Sequence, residues 1–90
     1  MDGNRLSLGC GEKRVLDVRS SRGVTLTNAG TVPVRVRLSR RSGTEWVPFC
    51  ADVRLEPGAC WSRGAAEIRC PNLVVEVVCC TPPEAVRVGF

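Results

Sequence analysis

The sequence predicts an all-β protein, a small antiparallel β-sandwich of jelly-roll or immunoglobulin-like type with about eight short strands. Three observations predict this fold class. Apolar and polar residues alternate with a period of two in several segments, turn residues recur at intervals of about eight to twelve residues, and no window has the apolar i, i+3, i+4, i+7 spacing of an amphipathic helix. The length of 90 residues suits a single domain with a thin core.

The first half of the chain contains three predicted strands. Residues 14–19 (RVLDVR) and 23–28 (GVTLTN) alternate apolar and polar side chains. The next segment, 28–31 (NAGT), has turn chemistry, because Asn and Gly tolerate a positive φ. A third alternating run, 32–39 (VPVRVRLS), follows at once, so we expect it to form a hairpin with residues 23–28.

The second half repeats this pattern in shorter runs. Its segments are separated by turns that contain Gly or Pro, of which Pro57-Gly58 is the strongest strand breaker. The predicted strands are 45–49, 52–56, 59–62, 66–69, 73–79 and 85–90. The inward positions of the strands predict a core that includes Val24, Leu26, Val34, Val36, Leu38, Val53, Leu55, Val75, Val77 and Val88.

The ends of the chain suggest one domain and an arm. Residues 1–12, rich in Gly and polar groups, are expected to form an extended N-terminal arm, and residues 13–90 a single β-sandwich domain. The first residues contain no apolar run of the kind that a signal peptide has. No stretch approaches the roughly 20 apolar residues of a membrane span. We therefore expect no membrane association, and synthesis in the cytoplasm.

The basic residues are unevenly distributed. The net charge is +4, and nearly all cations are arginine. Residues 1–45 hold nine basic and four acidic groups, whereas residues 46–90 hold four and five. This distribution is typical either of an ordinary solvated surface or of a positive face for an acidic partner. On the predicted strand 32–39 the arginines lie on the outer face, so the candidate partner-binding residues are Arg35, Arg37, Arg40 and Arg41.

Six cysteines are the other compositional signal: Cys10, Cys50, Cys60, Cys70, Cys79 and Cys80. No Cys-x-x-Cys pair and no histidine is present, so neither a zinc site nor dithiol redox chemistry is expected. Buried thiols and disulfides remain as alternatives, and six cysteines allow fifteen pairings. We expect at least one disulfide in the mature assembled form, with Cys79 facing inward and Cys80 outward as the preferred partner in an exposed or intermolecular bond.

The composition argues against an enzyme. Without histidine or tyrosine the chain lacks the commonest general base and the commonest metal ligand. The carboxylates fall on outward strand positions or turns, where they are expected to be solvated. We therefore predict a non-enzymatic protein with no cofactor and no metal.

Residues 23–34 (GVTLTNAGTVPV) and 54–60 (RLEPGAC) resemble small β-sandwich accessory proteins of tailed-phage virions, in which V-x-L-x-N-x-G-x-x-P-V precedes L-x-P-G. The resemblance is to head-decoration, or cement, proteins and covers residues 23–60. It implies a structural role in a virion, as a capsid decoration subunit or a tail or neck component. The implied partners are a major capsid or tail protein and further copies of the chain.

Two other functions are compatible with the sequence. One is a free-standing binding protein stapled by disulfides. The other is a basic β-barrel that binds nucleic acid, which the positive charge favours. Single-strand binders need aromatic platforms for base stacking, however, and the four aromatic residues are better suited to anchoring the core: Trp46, Phe49, Trp61 and Phe90. Nucleic acid is therefore not the expected partner.

Overall fold

A computed structural model describes residues 4–19, 22–79 and 85–90. Within these residues the chain forms nine strands and one helical turn, so the prediction of an all-β protein is confirmed. The elements are β1 Arg5–Gly9, β2 Lys13–Asp17, β3 Gly23–Asn28, β4 Val34–Ser42, β5 Glu45–Pro48, β6 Val53–Leu55, β7 Cys60–Gly64, α1 Ala65–Ile68, β8 Asn72–Cys79 and β9 Ala85–Gly89.

The strands pair antiparallel in two sheets. The first sheet has the order β1-β9-β3-β7, and the second has the order β2-β8-β4-β5, with β6 also paired to β4. Successive strands from β1 to β4 therefore alternate between the sheets. With β6 as a short addition, this is the strand order of a jelly roll, which decides between the two sandwich types that the sequence predicts.

The core lies between the two sheets and is formed by the predicted alternation. Nine of the ten predicted core residues are buried, and Val53 is half-buried against them. The same core also contains Leu8, Leu16, Val18, Ile68, Leu73 and Val86. Because the molecule extends over only 34 × 32 × 17 Å, each sheet packs on the other with one face and presents its second face outward.

The prediction of an N-terminal arm over residues 1–12 is wrong for residues 5–9. These residues form β1, which pairs with β9 along its whole length. Leu8 is completely buried and Leu6 is partly buried against the core. Two leucines that flank Ser7 are a period-2 signal, but one too short to distinguish a strand from an arm in the sequence.

The predicted hairpin between residues 23–28 and 32–39 is also wrong, because β3 and β4 belong to different sheets. The reason lies in the buried side chain of Asn28. Its Nδ2 donates hydrogen bonds to the carbonyls of Val32 at 2.8 Å and Leu55 at 3.0 Å, and its Oδ1 accepts one from the amide of Gly30 at 2.8 Å. Asn28 thus fixes a corner through which the chain passes from the first sheet to the second.

The predicted strand at 66–69 is replaced by the helical turn α1, which buries Ile68. Its Ala-Ala-Glu sequence favours a helix. The Glu67 carboxylate accepts a hydrogen bond from the amide of Gly64 at 3.0 Å, which satisfies a donor at the start of the turn. No helix within the described ranges is long and apolar enough to cross a membrane.

Candidate functional site

The outer face of the second sheet carries three of the four predicted partner-binding arginines. Alternate residues of β4 point away from the core, among them Arg35, Arg37 and Arg41. The cross-strand registers place Val15 of β2 and Trp46 of β5 on the same side. We call this surface the Trp46 face and define it by these five residues.

Trp46 is the unexpected member of this surface. It is 42% exposed, so the prediction that it anchors the core is wrong, whereas Phe49, Trp61 and Phe90 do pack against the core. Trp46 lies directly opposite Arg41 in the β4–β5 pair. The Arg41 guanidinium lies 5.6 Å from the centre of the indole ring, which is within cation–π range.

The Trp46 face has a second exposed apolar residue. Val15, on the edge strand β2, is 56% exposed. It lies three strands away from Trp46, or about 14 Å at the usual spacing between strands. The centre of the face contains β8 and β4. Between these two apolar side chains the outward positions of β8 and β4 hold Val74, Glu76 and Ser39 as well as the arginines, so the strip between them is mixed in character.

Part of the positive charge on this face is compensated within the chain. Arg37 forms an ion pair with Asp52 at 3.5 Å. Arg54, which lies opposite Arg35, forms one with Glu56 at 2.8 Å. Neither Arg35 nor Arg41 has a carboxylate within 4.0 Å among the described residues. No described carboxylate therefore neutralises these two guanidinium groups, and Nε of Arg41 donates a 3.3 Å hydrogen bond to the carbonyl of Gly43.

Arg40 does not belong to the Trp46 face. It neighbours Arg41 on β4 and therefore points to the opposite side of the sheet, where it is exposed beyond the edge of the core. β4 continues beyond the predicted strand 32–39 to Ser42 and pairs there with β5. Gly43 supplies the positive φ of 63° in the connection. The predicted set of four arginines is thus split between two surfaces.

The described cysteines have different environments. Cys50, Cys60 and Cys70 carry free thiols. Burial raises the pKa of the Cys50 and Cys70 thiols, which disfavours the reactive thiolate near neutral pH. Cys60 is exposed, and its Sγ lies 3.4 Å from Oγ1 of Thr27. The predicted orientations of Cys79 and Cys80 concern side chains outside the described residues.

The acidic groups show no arrangement for metal binding. Within the part of the chain that the structure describes, no cluster of three or more Cys, Asp or Glu side chains could hold a metal ion. Asp17 accepts hydrogen bonds from the Arg19 guanidinium at 2.7 and 3.0 Å. These bonds lower the pKa of Asp17 to about 2, so its carboxylate is a poor general base at neutral pH.

Comparison with known proteins informs the fold. No protein-family model matches the chain, and no curated protein matches it. The chain is similar to a solved structure, the solution NMR structure of a de novo designed double-stranded β-helix. The similarity covers 99% of this chain and 97% of the designed chain, with a TM-score of 0.53 and 13% sequence identity. It therefore supports the two-sheet architecture alone.

Proposed function

We propose that this protein is a non-enzymatic assembly subunit that docks through the Trp46 face onto an acidic surface of a larger protein shell. The observation that carries the proposal is the exposed indole of Trp46 beside the guanidinium of Arg41. Trp and Arg are enriched among the few residues that dominate the energy of protein interfaces. A large aromatic ring left in water by its own domain is best explained by a partner that covers it.

The size of the face fits such a contact. A specific interface of standard size buries about 800 Å² on each partner. The two long dimensions of the molecule are 34 and 32 Å, so one sheet face is broad enough. Val15 and Trp46 would give the contact two apolar anchors, and the arginines between them would set its orientation and salt sensitivity.

Charge argues for an unlike partner. If two copies packed their Trp46 faces against each other, two surfaces that each carry the unneutralised cations Arg35 and Arg41 would be brought together. Like charges brought together at an interface cost several kcal/mol. An acidic surface instead pairs with these guanidinium groups, whose planar forks bind carboxylates with two hydrogen bonds.

The virion is the proposed location of the shell. The resemblance of residues 23–60 to accessory proteins of tailed-phage virions supports it, and jelly rolls are frequent in capsid proteins. Because one fold hosts many functions, the docking surface carries more weight in the proposal than the fold does.

A disulfide at Cys10 belongs to the same proposal. Cys50, Cys60 and Cys70 are free thiols, whereas Cys10 is not. It lies in the turn after β1, where the amide of Gly11 donates a 3.0 Å hydrogen bond to the carbonyl of Val77 on β8. Cys10 is therefore near the end of β8, whose last residue is Cys79 and which is followed in the sequence by Cys80. Three free thiols leave room for only one internal disulfide, which argues against a domain held mainly by disulfides.

Co-sedimentation with the native assembly tests the proposed docking. Purified chain is added to the purified particle from the source organism at low and high salt. We expect the wild type to sediment with the particle and to be released as salt rises. The double variant Arg35→Glu/Arg41→Glu should bind at least tenfold more weakly, and Trp46→Ser should weaken binding at every salt concentration.

Arg87→Glu is the matched control, because Arg87 is an exposed strand arginine on the first sheet. It should bind like the wild type. Equal binding by wild type and double variant would contradict the proposal. The proposal would also be contradicted if the wild type did not sediment with the particle and was found only as a monomer or as a complex of identical copies.

A further inference from the structure

A second surface, on the opposite side of the molecule, contains a shallow groove. It lies across β1, β9 and β3 on the outer face of the first sheet and has a volume of about 550 Å³. Its polar lining consists of two arginines and three hydroxyl groups: Arg5, Ser7, Thr25, Thr27 and Arg87. We call it the Gly89 groove, after the glycine at its centre.

Gly89 explains why the groove is open. In the strand registers it lies between Arg5 on β1 and Thr25 on β3. A Cβ atom at this position would meet nothing within 4 Å. The missing side chain therefore leaves space between the side chains of Arg5 and Thr25. The packing of the fold does not require a glycine at this position.

The two arginines of the groove form no ion pair with any residue that the structure describes. Arg87 lies opposite Ser7, one row along from the Arg5–Gly89 pair, so the two arginines are diagonal neighbours at about 7–8 Å. Neither has a carboxylate within 4.0 Å among the described residues. The two positive charges repel each other, and an anion bound between them would remove that repulsion.

The hydroxyl groups of Thr25 and Thr27 add hydrogen-bond donors on β3, on the other side of β9 from Arg5. Thr25 lies opposite Gly89 and Thr27 opposite Arg87 on β3. The Thr27 hydroxyl already contacts the Cys60 thiol at 3.4 Å, and a hydroxyl can donate and accept at the same time. Guanidinium forks and hydroxyls together match the oxygens of a tetrahedral oxyanion.

We infer that the Gly89 groove binds the phosphate group of a small organic phosphate. A phosphate monoester carries about −1.5 to −2 charges at pH 7, which balances two arginines better than a singly charged carboxylate does. The groove volume falls in the range of small-molecule sites, about 300–1,000 Å³, which leaves room for the organic part. None of the lining residues that the structure describes is aromatic, so they offer no platform for stacking the bases of nucleic acid.

An NMR titration of amide shifts tests the inference in the isolated chain, independently of any docking on a shell. The probes are glycerol 3-phosphate, inorganic phosphate, sulfate and a short single-stranded oligonucleotide. We expect glycerol 3-phosphate to shift the amides of Thr25, Arg87 and Gly89 and to bind more tightly than either inorganic ion. Arg5→Gln/Arg87→Gln should weaken this binding at least tenfold, and Gly89→Ala, which fills the groove, should weaken it several-fold.

Arg35→Gln, which removes one cation from the Trp46 face, is the control and should bind like the wild type. Thermal melts of Gly89→Ala should match the wild type, since the added methyl meets no atom. The inference is overturned if no probe shifts these amides at millimolar concentration, or if Arg35→Gln weakens binding as much as the groove variants do. Equal binding of all ions, or preferential binding of the oligonucleotide, would overturn it as well.

Discussion

The guanidinium of Arg41 lies 5.6 Å from the ring centre of Trp46, which faces it across the β4–β5 pair. This contact holds a flat indole against the outer surface of a sheet without burying it, since Trp46 stays 42% exposed. The domain thus contributes a preoriented aromatic side chain to whatever binds the Trp46 face. Preorganisation of this kind lowers the entropy that is lost on binding.

The two faces of the second sheet should respond differently to the same truncation. Val36→Ala removes methyl groups from a fully buried position and should lower the free energy of unfolding by about 2 kcal/mol or more. Val15→Ala, at an exposed position on the same sheet, should change it by less than about 0.5 kcal/mol. Urea denaturation of both variants measures the difference, and similar losses would show that the assignment of inner and outer faces is wrong.

Asn28 should be the most sensitive polar residue of the fold. Asn28→Ala leaves the buried carbonyl of Leu55 without the amide that hydrogen bonds to it, and we expect a loss of about 2 to 4 kcal/mol in the free energy of unfolding. Asn72→Ala on β8, where the asparagine is only half-buried, serves as control and should be nearly neutral. If both variants unfold at the same denaturant concentration, Asn28 does not fix the corner between the sheets.

The pKa of Asp17 should reveal its hydrogen bonds to Arg19. The wild-type carboxyl should titrate near 2, and in Arg19→Gln it should return toward its ordinary value of 3.8. Because the folded-state pKa is lowered, the associated stabilisation is present above about pH 4 and is lost as the pH falls toward 2. It is small, since both side chains are exposed. Carboxyl chemical shifts followed by NMR measure the titration, and a wild-type midpoint near 3.8 would contradict the contact.

The three free thiols should react at different rates. Cys60 is exposed, whereas Cys50 and Cys70 are partly buried and burial raises their pKa. Alkylation of the native protein at pH 7.5 should therefore modify Cys60 first, as peptide mass spectrometry can show. In urea the three rates should converge. If Cys50 or Cys70 were modified faster than Cys60 in the folded protein, the two thiols would not be shielded as the structure describes.

The proposed disulfide makes a prediction of its own. Denatured protein from the mature assembly should take up four alkyl groups without reduction, at Cys50, Cys60, Cys70 and the one remaining cysteine, and two more after reduction, at Cys10 and its partner. Identical masses in the two samples would exclude any disulfide. The comparison needs protein from the assembly, because a chain made in a reducing compartment forms no lasting bond there.

The sequence predicts those features that depend on local alternation. Val34, Val36 and Leu38 are buried as expected, because one face of β4 packs on the other sheet. The partner of a strand is a non-local property, however. Asn28 has the chemistry of a tight turn, but its hydrogen bond to Leu55, 27 residues away, directs the chain into the other sheet.

The candidate site was only partly predictable for the same reason. Residue type places tryptophan inside on average, and the exposure of Trp46 depends on the absence of a third layer over the second sheet. The separation of Arg40 from Arg41 follows from a strand that continues three residues beyond the end that its alternation indicates. The lining of the Gly89 groove comes from β1, β3 and β9. Because these strands are far apart in the sequence, no local pattern could predict the groove.

Oxidative footprinting of the two tryptophans tests the central claim, that the Trp46 face docks on a larger shell. In the free chain, hydroxyl radicals should modify exposed Trp46 faster than half-buried Trp61, which packs against the core. In the native assembly Trp46 should be protected at least fivefold, while the modification of Trp61 should be unchanged. If Trp46 is as reactive in the assembly as in the free chain, the Trp46 face is not the docking surface.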